Sequence, residues 1–241
     1  DSDQPIRYNA NPKELFEVSG SAGHVAALAV RLDTFPKDET TQVFYIGTNN
    51  PDELEDIRRH IMTHFKSLPV SGEYMHKTAY ELAKQYGKDS LIVIEKIGTG
   101  HLPQMFALKA WGERFLKHVP FFKPYFPDRL LQGASHLFPN QLPERLEAYH
   151  DKYDHYLQLK MAGDGIAEAR EYLASFFPTQ DGDYFEADAN ETSKAETHRY
   201  VTAGVAIRYQ ELKQDTIDIL PLDIAFASNE YHWFEQLPAE I

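Results

Sequence analysis

The chain has 241 residues, of which 42% are apolar and 25% charged, so it can bury a hydrophobic core and has the composition of a globular protein. Its net charge of −13 opposes binding to a polyanion such as nucleic acid. The absence of cysteine excludes disulfides, thiolate nucleophiles and cysteine-ligated metal centres.

The first predicted elements are two strands, a helix and a third strand. Apolar residues 25–32 predict a buried strand, and residues 42–47 predict another. Asn50 suits the N-cap of a following helix, where Glu53 can complete a capping box. Residues 70–75 then return as a strand.

A second strand–helix–strand unit follows later in the chain. Residues 153–161 predict a strand, Asp164 can cap a helix over 164–177, and residues 184–187 predict the returning strand. Two such units favour an α+β fold, in which a mixed or antiparallel sheet is covered by helices.

The C-terminal part of the chain predicts one more helix and one more strand. The helix spans about residues 190–213, and Ser193 with Glu196 forms a possible capping box near its start. Residues 217–225 predict the last strand.

Residues 76–152, between the two units, predict a helical insertion that several prolines interrupt. Within it, residues 96–146 hold seven basic and three acidic side chains, a net charge of +4, together with eight aromatic rings. We name residues 96–146 the basic aromatic segment. Such a composition is typical of a surface that meets anionic lipid headgroups. The alternative is a segment whose rings complete a core.

Other polar groups give weaker signals. His60 and His64 have a zinc-site spacing, but Ile61 stands where the metalloprotease motif needs Glu, so we expect two exposed histidines and no metal site. The turn at residues 161–165 is interpreted as a tight strand-to-helix connection. His198, Arg199, Arg208 and Tyr209 share a predicted helix and could hold a carboxylate or a headgroup, although ordinary surface pairing is favoured.

Seven longer strings resemble the quinone-dependent D-lactate dehydrogenase family across essentially the whole chain. They are RYNA (7–10), AVRLDTF (29–35), QVFYIGTN (42–49), GEYMH (72–76), HLFP (136–139), LKMAGDG (159–165) and AIRYQ (206–210). The resemblance implies a flavin domain, a cap domain over the flavin, and a membrane-binding domain inserted within the cap.

The resemblance also implies a division of the chain into segments of these three domains. Residues 1–33 would end the FAD-binding domain. Three segments would form the cap, namely 34–75, 153–190 and a truncated 215–241. The membrane-binding insertion would comprise 76–152 with help from the helical segment 191–214.

The function that the resemblance implies is oxidation of D-lactate to pyruvate on FAD, with electron transfer to a membrane quinone. The enzyme would be peripheral, on the cytoplasmic face of the bacterial inner membrane, and would bind anionic phospholipid but no nucleic acid. We expect this chain to be inactive alone, because most of the flavin domain that holds FAD would lie outside it. The alternative is a non-catalytic α+β domain that binds a small molecule and whose basic aromatic segment is core.

The site residues follow from the same resemblance. A backbone contact to the flavin is expected at Ala27, with Ala22, Gly23 and Val25 as neighbours. Candidates on the substrate side are Arg208, Tyr209 and His76, and the catalytic base is not assigned. The residues expected to contact the membrane are Lys109, Trp111, Arg114, Lys117, Phe121, Phe122, Lys123, Tyr125, Phe126 and Arg129.

Overall fold

The structure, a computed structural model, describes residues 24–29, 38, 40–101 and 140–213, with positions 104, 107, 110–112, 114, 115, 129, 130 and 133. Residues 24–29 belong to a different compact unit from all the others. They are exposed and form no strand, so the buried strand expected at 25–32 is wrong over 25–29. Apolar residues form a stable strand only where a neighbouring strand supplies backbone partners, and no described residue supplies them here.

The larger unit contains an antiparallel sheet with helices on both faces. Its strands are β1 (Thr41–Thr48), β2 (Ser71–His76), β3 (His155–Ala162) and β4 (Gly182–Glu186), in the order β2-β3-β1-β4. Its helices are α1 (Pro51–His64), α2 (Lys77–Tyr86), α3 (Lys88–Ile97), α4 (Glu144–Lys152), α5 (Gly165–Phe176) and α6 (Ala189–Lys213), with a 3-10 turn at Thr99–His101. The α+β prediction is therefore confirmed, and β1-α1-β2 followed by β3-α5-β4 is a ferredoxin-like arrangement.

The two faces of the sheet build two separate cores, because successive strand residues point to opposite sides. Phe44 and Ile46 of β1 face α1 and α5 and are fully buried. Val43 and Tyr45 face the opposite side, where α2, α4 and α6 pack. The alternation in one strand thus determines which helices each residue contacts.

The start of α1 confirms part of the sequence prediction. The Asn50 side chain accepts a hydrogen bond from the backbone of Asp52 at 3.2 Å, as an N-cap should. Glu53 does not close a capping box directly. The Thr48 hydroxyl accepts from the Asn50 N–H at 2.9 Å and donates to the Glu53 carboxylate at 2.5 Å, so it relays the interaction.

Two other predicted caps are wrong. Asp164 precedes α5 with helical backbone angles and makes no side-chain capping bond, since only a non-helical N-cap can aim its side chain back at the first turn. The capping box of α6 is made by Asp188 and Glu191, which accept reciprocally from each other's backbone N–H at 2.8 and 2.9 Å. Ser193 and Glu196 therefore lie inside the helix.

The insertion between β2 and β3 is held to the sheet by α6. This 25-residue helix buries Val201 and Val205 against Ala83 and Leu91 of α2 and α3. No described helix is long and apolar enough to cross a membrane. The strand predicted at 217–225 lies outside the described residues.

Candidate functional site

The described residues of the basic aromatic segment include large apolar side chains that face solvent. Trp111 and Phe115 are 65% and 64% exposed, and their rings stack at a centroid distance of 6.0 Å and an interplanar angle of 15°. Leu130 is 62% exposed, and Arg114 and Arg129 are also exposed. A ring pair that completed a core would be buried, so these exposures argue against the core alternative at this position.

The remaining residues expected to contact the membrane lie outside the described residues. They are Lys109, Lys117, Phe121, Phe122, Lys123, Tyr125 and Phe126.

Arg208 of α6 joins three helices. Its guanidinium donates to both carboxylate oxygens of Asp89 at 2.6 and 2.9 Å and to the Tyr86 carbonyl at 2.7 Å. The Arg208 and Asp89 side chains are each only 13% exposed. The neighbouring Tyr209 packs its ring 5.2 Å from that of Tyr86. These contacts place Arg208 and Tyr209 in the packing between the helices.

His76 lies at the opposite end of α2, where it serves as the N-cap. Its side chain accepts from the backbone of Thr78 at 3.2 Å, and its ring meets His155 edge-on at 5.1 Å. The Tyr74 hydroxyl bonds His155 Nδ1 at 2.8 Å. Because α2 has ten residues, roughly 15 Å separates this end from the end that Arg208 contacts. The three substrate-side candidates are therefore not brought together.

The expected flavin contact lies in the smaller described stretch. Ala27 and Val25 are exposed, whereas Ala22 and Gly23 lie outside the described residues. Small exposed side chains permit close approach of a flat ring.

A cleft of about 250 Å³ opens on the sheet face beside α3 and α6. Its walls carry two cations, each beside a carboxylate. Lys160 lies 2.8 Å from Glu196, and Arg199 lies 3.4 Å from Glu73. The charges therefore balance in pairs, and the cleft has no built-in preference for an anion such as a carboxylate substrate.

The sequence interpretation missed a buried pair of histidines. His198 was grouped with exposed cationic groups, yet it is 2% exposed and its Nε2 has no hydrogen-bond partner among the described residues. His150 of α4 is 6% exposed. The signal lay in helical spacing, since Ala195, Val201 and Val205 share the buried face of α6 with His198.

The His60 ring stacks on the rings of His64 and Tyr172. The His60 ring lies 4.4 Å from His64 and 3.9 Å from Tyr172. Burial, and secondarily the charge of His64, lowers the pKa of His60. Within the described ranges, no group of three or more His, Asp or Glu side chains could hold a metal ion.

The sequence model of a family described as "D-lactate dehydrogenase, membrane binding" matches residues 43–241. The chain is 51% identical over its whole length to the quinone-dependent D-lactate dehydrogenase of Escherichia coli, and 46% identical to that of Haemophilus influenzae. It spans 42% and 43% of the lengths of these two relatives. A third enzyme of the same name, from Corynebacterium glutamicum, is 39% identical over 98% of the chain and is likewise covered over 42% of its length. Because the family match covers most of its residues, the chain belongs to the membrane-binding D-lactate dehydrogenase family.

Proposed function

We propose that this chain caps the active site and attaches to the membrane a peripheral enzyme that oxidises D-lactate to pyruvate and passes electrons to a membrane quinone. The observation that carries the proposal is the exposed, stacked pair Trp111 and Phe115, in a chain whose family is described as membrane binding. The names of the relatives supply the substrate and the electron acceptor.

We assign different roles to the two layers of the larger unit. The sheet with α1 and α5 would be the cap, and the helices between β2 and β3, with α6, would belong to the membrane-binding layer. The boundaries proposed from sequence are 1–33 for the flavin domain, 34–75, 153–190 and 215–241 for the cap, and 76–152 with 191–214 for the membrane-binding part. The buried contacts of α6 with α2 and α3 support grouping 191–214 with the insertion.

FAD would be held mainly by the remainder of the flavin domain, with Ala27 as the proposed backbone contact from this chain. When bound, FAD accepts the hydride or electrons removed from the substrate. The cap would cover that site and exclude water. Of the substrate-side candidates, His76 keeps an exposed ring and stays the better one, since Arg208 is already bonded to Asp89.

Membrane attachment would combine two physical effects at the cytoplasmic face of the inner membrane. Burying an aromatic ring in the interface contributes roughly 1.5–3 kcal/mol, and each Lys or Arg near an anionic leaflet contributes about 1 kcal/mol. Trp111 and Phe115 would supply the first effect, and Arg114 and Arg129 would supply part of the second.

The test is flotation of the chain with vesicles of phosphatidylcholine alone or mixed with phosphatidylglycerol, at low and high salt. We expect binding that needs the anionic lipid and weakens with salt. Replacing Trp111 and Phe115 together by Ser should lower the bound fraction on the order of tenfold or more. Met62→Ser is the matched control, because Met62 is 57% exposed on α1, outside the proposed surface. Equal losses in both variants, or no binding to any vesicle, would contradict the membrane-binding role.

The enzymatic part of the proposal has a separate test. The chain alone, mixed with FAD and D-lactate, should neither retain stoichiometric flavin nor reduce a quinone analogue. The protein that includes the whole flavin domain should do both. Turnover by the chain alone would show that the division between cap and flavin domain is wrong.

A further inference from the structure

Three buried rings from three different helices pack against one another on one face of the sheet, and we call this group the stack. The Tyr80 and His150 planes are 20° apart, and the Tyr80 and His198 planes are 45° apart. Tyr80 of α2 lies between His150 of α4 and His198 of α6, with ring centroids 4.4 Å and 4.3 Å from them. Tyr80 and His198 are each 2% exposed. The stack is therefore a point at which the helices that flank the insertion meet.

The stack is attached to the sheet through Tyr156 of β3. The Tyr156 hydroxyl donates to the backbone carbonyl of Tyr153 at 2.5 Å, and it lies 3.2 Å from the His150 carbonyl and 3.3 Å from His150 Nδ1. The Tyr156 ring is 5.6 Å from Tyr80. Tyr156 therefore links α2 and α4 to the sheet.

The charges around the stack are distributed unequally between its two histidines. Burial, and secondarily the charge of Lys84, lowers the pKa of His150, whereas Glu147 and Glu81, the latter at 3.9 Å, partly offset this lowering. The groups that act electrostatically on His198 are both cationic or potentially so, namely His150 and Lys84. The other titratable groups that face the stack are Lys77 of α2, Asp151 of α4, Tyr45 of β1 and Asp154 before β3.

His198 is consequently the member of the stack that is most sensitive to protonation. Its Nε2 is buried without a hydrogen-bond partner among the described residues. A proton on this ring would place a positive charge in a buried site, and neither of the groups that act electrostatically on the ring is a carboxylate. The protonated ring can be accommodated only if α6 moves and lets it reach solvent.

We propose that the stack of Tyr80, His150 and His198 is an acid-sensitive latch, which holds α6 against α2 and α4 at neutral pH and releases it when His198 takes up a proton. This is a local opening of the helical layer. The core between the other sheet face and α1 with α5 contains none of the three rings and stays closed.

The size of the effect follows from linkage between protonation and opening. Burial is the main cause that lowers the pKa of His198 to about 3, whereas an imidazole released to solvent regains its ordinary value near 6.5. At pH 5 the open form therefore binds a proton and the closed form does not. The opening equilibrium should rise roughly 30-fold between pH 8 and pH 5.

Hydrogen–deuterium exchange of the full chain, corrected for the intrinsic pH dependence of amide exchange, measures this opening. Protection of the α6 and α2 amides should fall roughly 30-fold over this pH range, while protection of the α1 and α5 amides should fall clearly less. His198→Phe keeps a ring on Tyr80 but cannot take a proton, and it should remove most of the acid-dependent loss. A smaller response should remain, because burial also lowers the pKa of His150. His198→Leu is a second variant in case the larger ring does not fit. His64→Gln is the control, because His64 is an exposed histidine on α1.

Three results would overturn the latch. One is amide protection in α6 that does not change with pH in the unmodified protein. Another is the same acid response in His198→Phe and His198→Leu. The third is an equal loss of protection in α1 and α5, which would show global unfolding.

A consequence for membrane attachment rests on the proposed function. Opening of the layer would expose apolar surface of α2 and α6 beside the insertion, so binding to anionic vesicles should strengthen at pH 5, and His198→Phe should lose that increment. Flotation that is absent at every pH would count against the proposed function and leave the exchange result standing. An unchanged exchange pattern would count against the latch alone.

Discussion

The bond between Arg208 and Asp89 predicts that Arg208 stabilises the fold and does not bind substrate. Replacing Arg208 by Leu removes two bonds to a carboxylate and one to the Tyr86 carbonyl, and leaves Asp89 as an unpaired charge that is 13% exposed. Breaking a buried pair from one side costs roughly 3–5 kcal/mol. Because both side chains keep some contact with water, we expect the lower end, about 3 kcal/mol.

The assay is urea unfolding of the chain, analysed as a double-mutant cycle with Asp89→Leu. The free energy of unfolding of each single variant should fall by about 3 kcal/mol. In thermal unfolding, the same loss would lower Tm by roughly 6–12 °C. The double variant should lose clearly less than the two single losses together, since no charge is left buried alone. Arg208→Lys should rescue only partly, because an ammonium group cannot reproduce the two-pronged geometry.

The same variants decide between structure and substrate binding. In the protein that includes the flavin domain, Arg208→Leu should leave the KM for D-lactate unchanged, provided that activity is measured at a temperature below the lowered Tm of the variant. A stable Arg208→Leu variant with a strongly raised KM would refute the reasoning and make Arg208 a substrate ligand. Tyr86→Phe is a useful control, because it keeps the carbonyl that Arg208 contacts.

Three further predictions concern stability and are measured by thermal or urea unfolding. Gly47→Val should destabilise by roughly 1–3 kcal/mol or more, because a Cβ at this position would lie 2.4 Å from the Tyr153 ring; an unchanged midpoint would contradict the packing of β1. Asn50→Ala should cost about 1 kcal/mol by removing the α1 cap, and Asn50→Ser should recover most of it. Glu191→Gln should cost roughly 1–2 kcal/mol at pH 7, since the hydrogen bond from Arg145 lowers the pKa of Glu191. That stabilisation is present above the ordinary carboxyl pKa and is lost as the pH falls through the lowered value, so the two proteins should converge in acid.

Local signals in the sequence are sufficient to predict the strand–helix–strand units. Alternation in residues 42–47 and the Asn50 cap depend on neighbours within a few positions, and the structure has β1 at Thr41–Thr48 and α1 from Pro51. The charge contrast of the basic aromatic segment is likewise a property of composition. Its described rings, Trp111 and Phe115, are exposed as a surface requires.

Only the tertiary structure decided which polar residues are buried and which partner each one has. His198 and Arg208 lie on one helix and look alike in sequence, yet one is enclosed beside Tyr80 and the other is bonded to Asp89, 119 residues away. Helical spacing can indicate the buried face of α6, but it does not specify which residues of α2 and α3 that face contacts. The apolar residues 25–29 show the same limit, because a strand needs partners that no local pattern can provide.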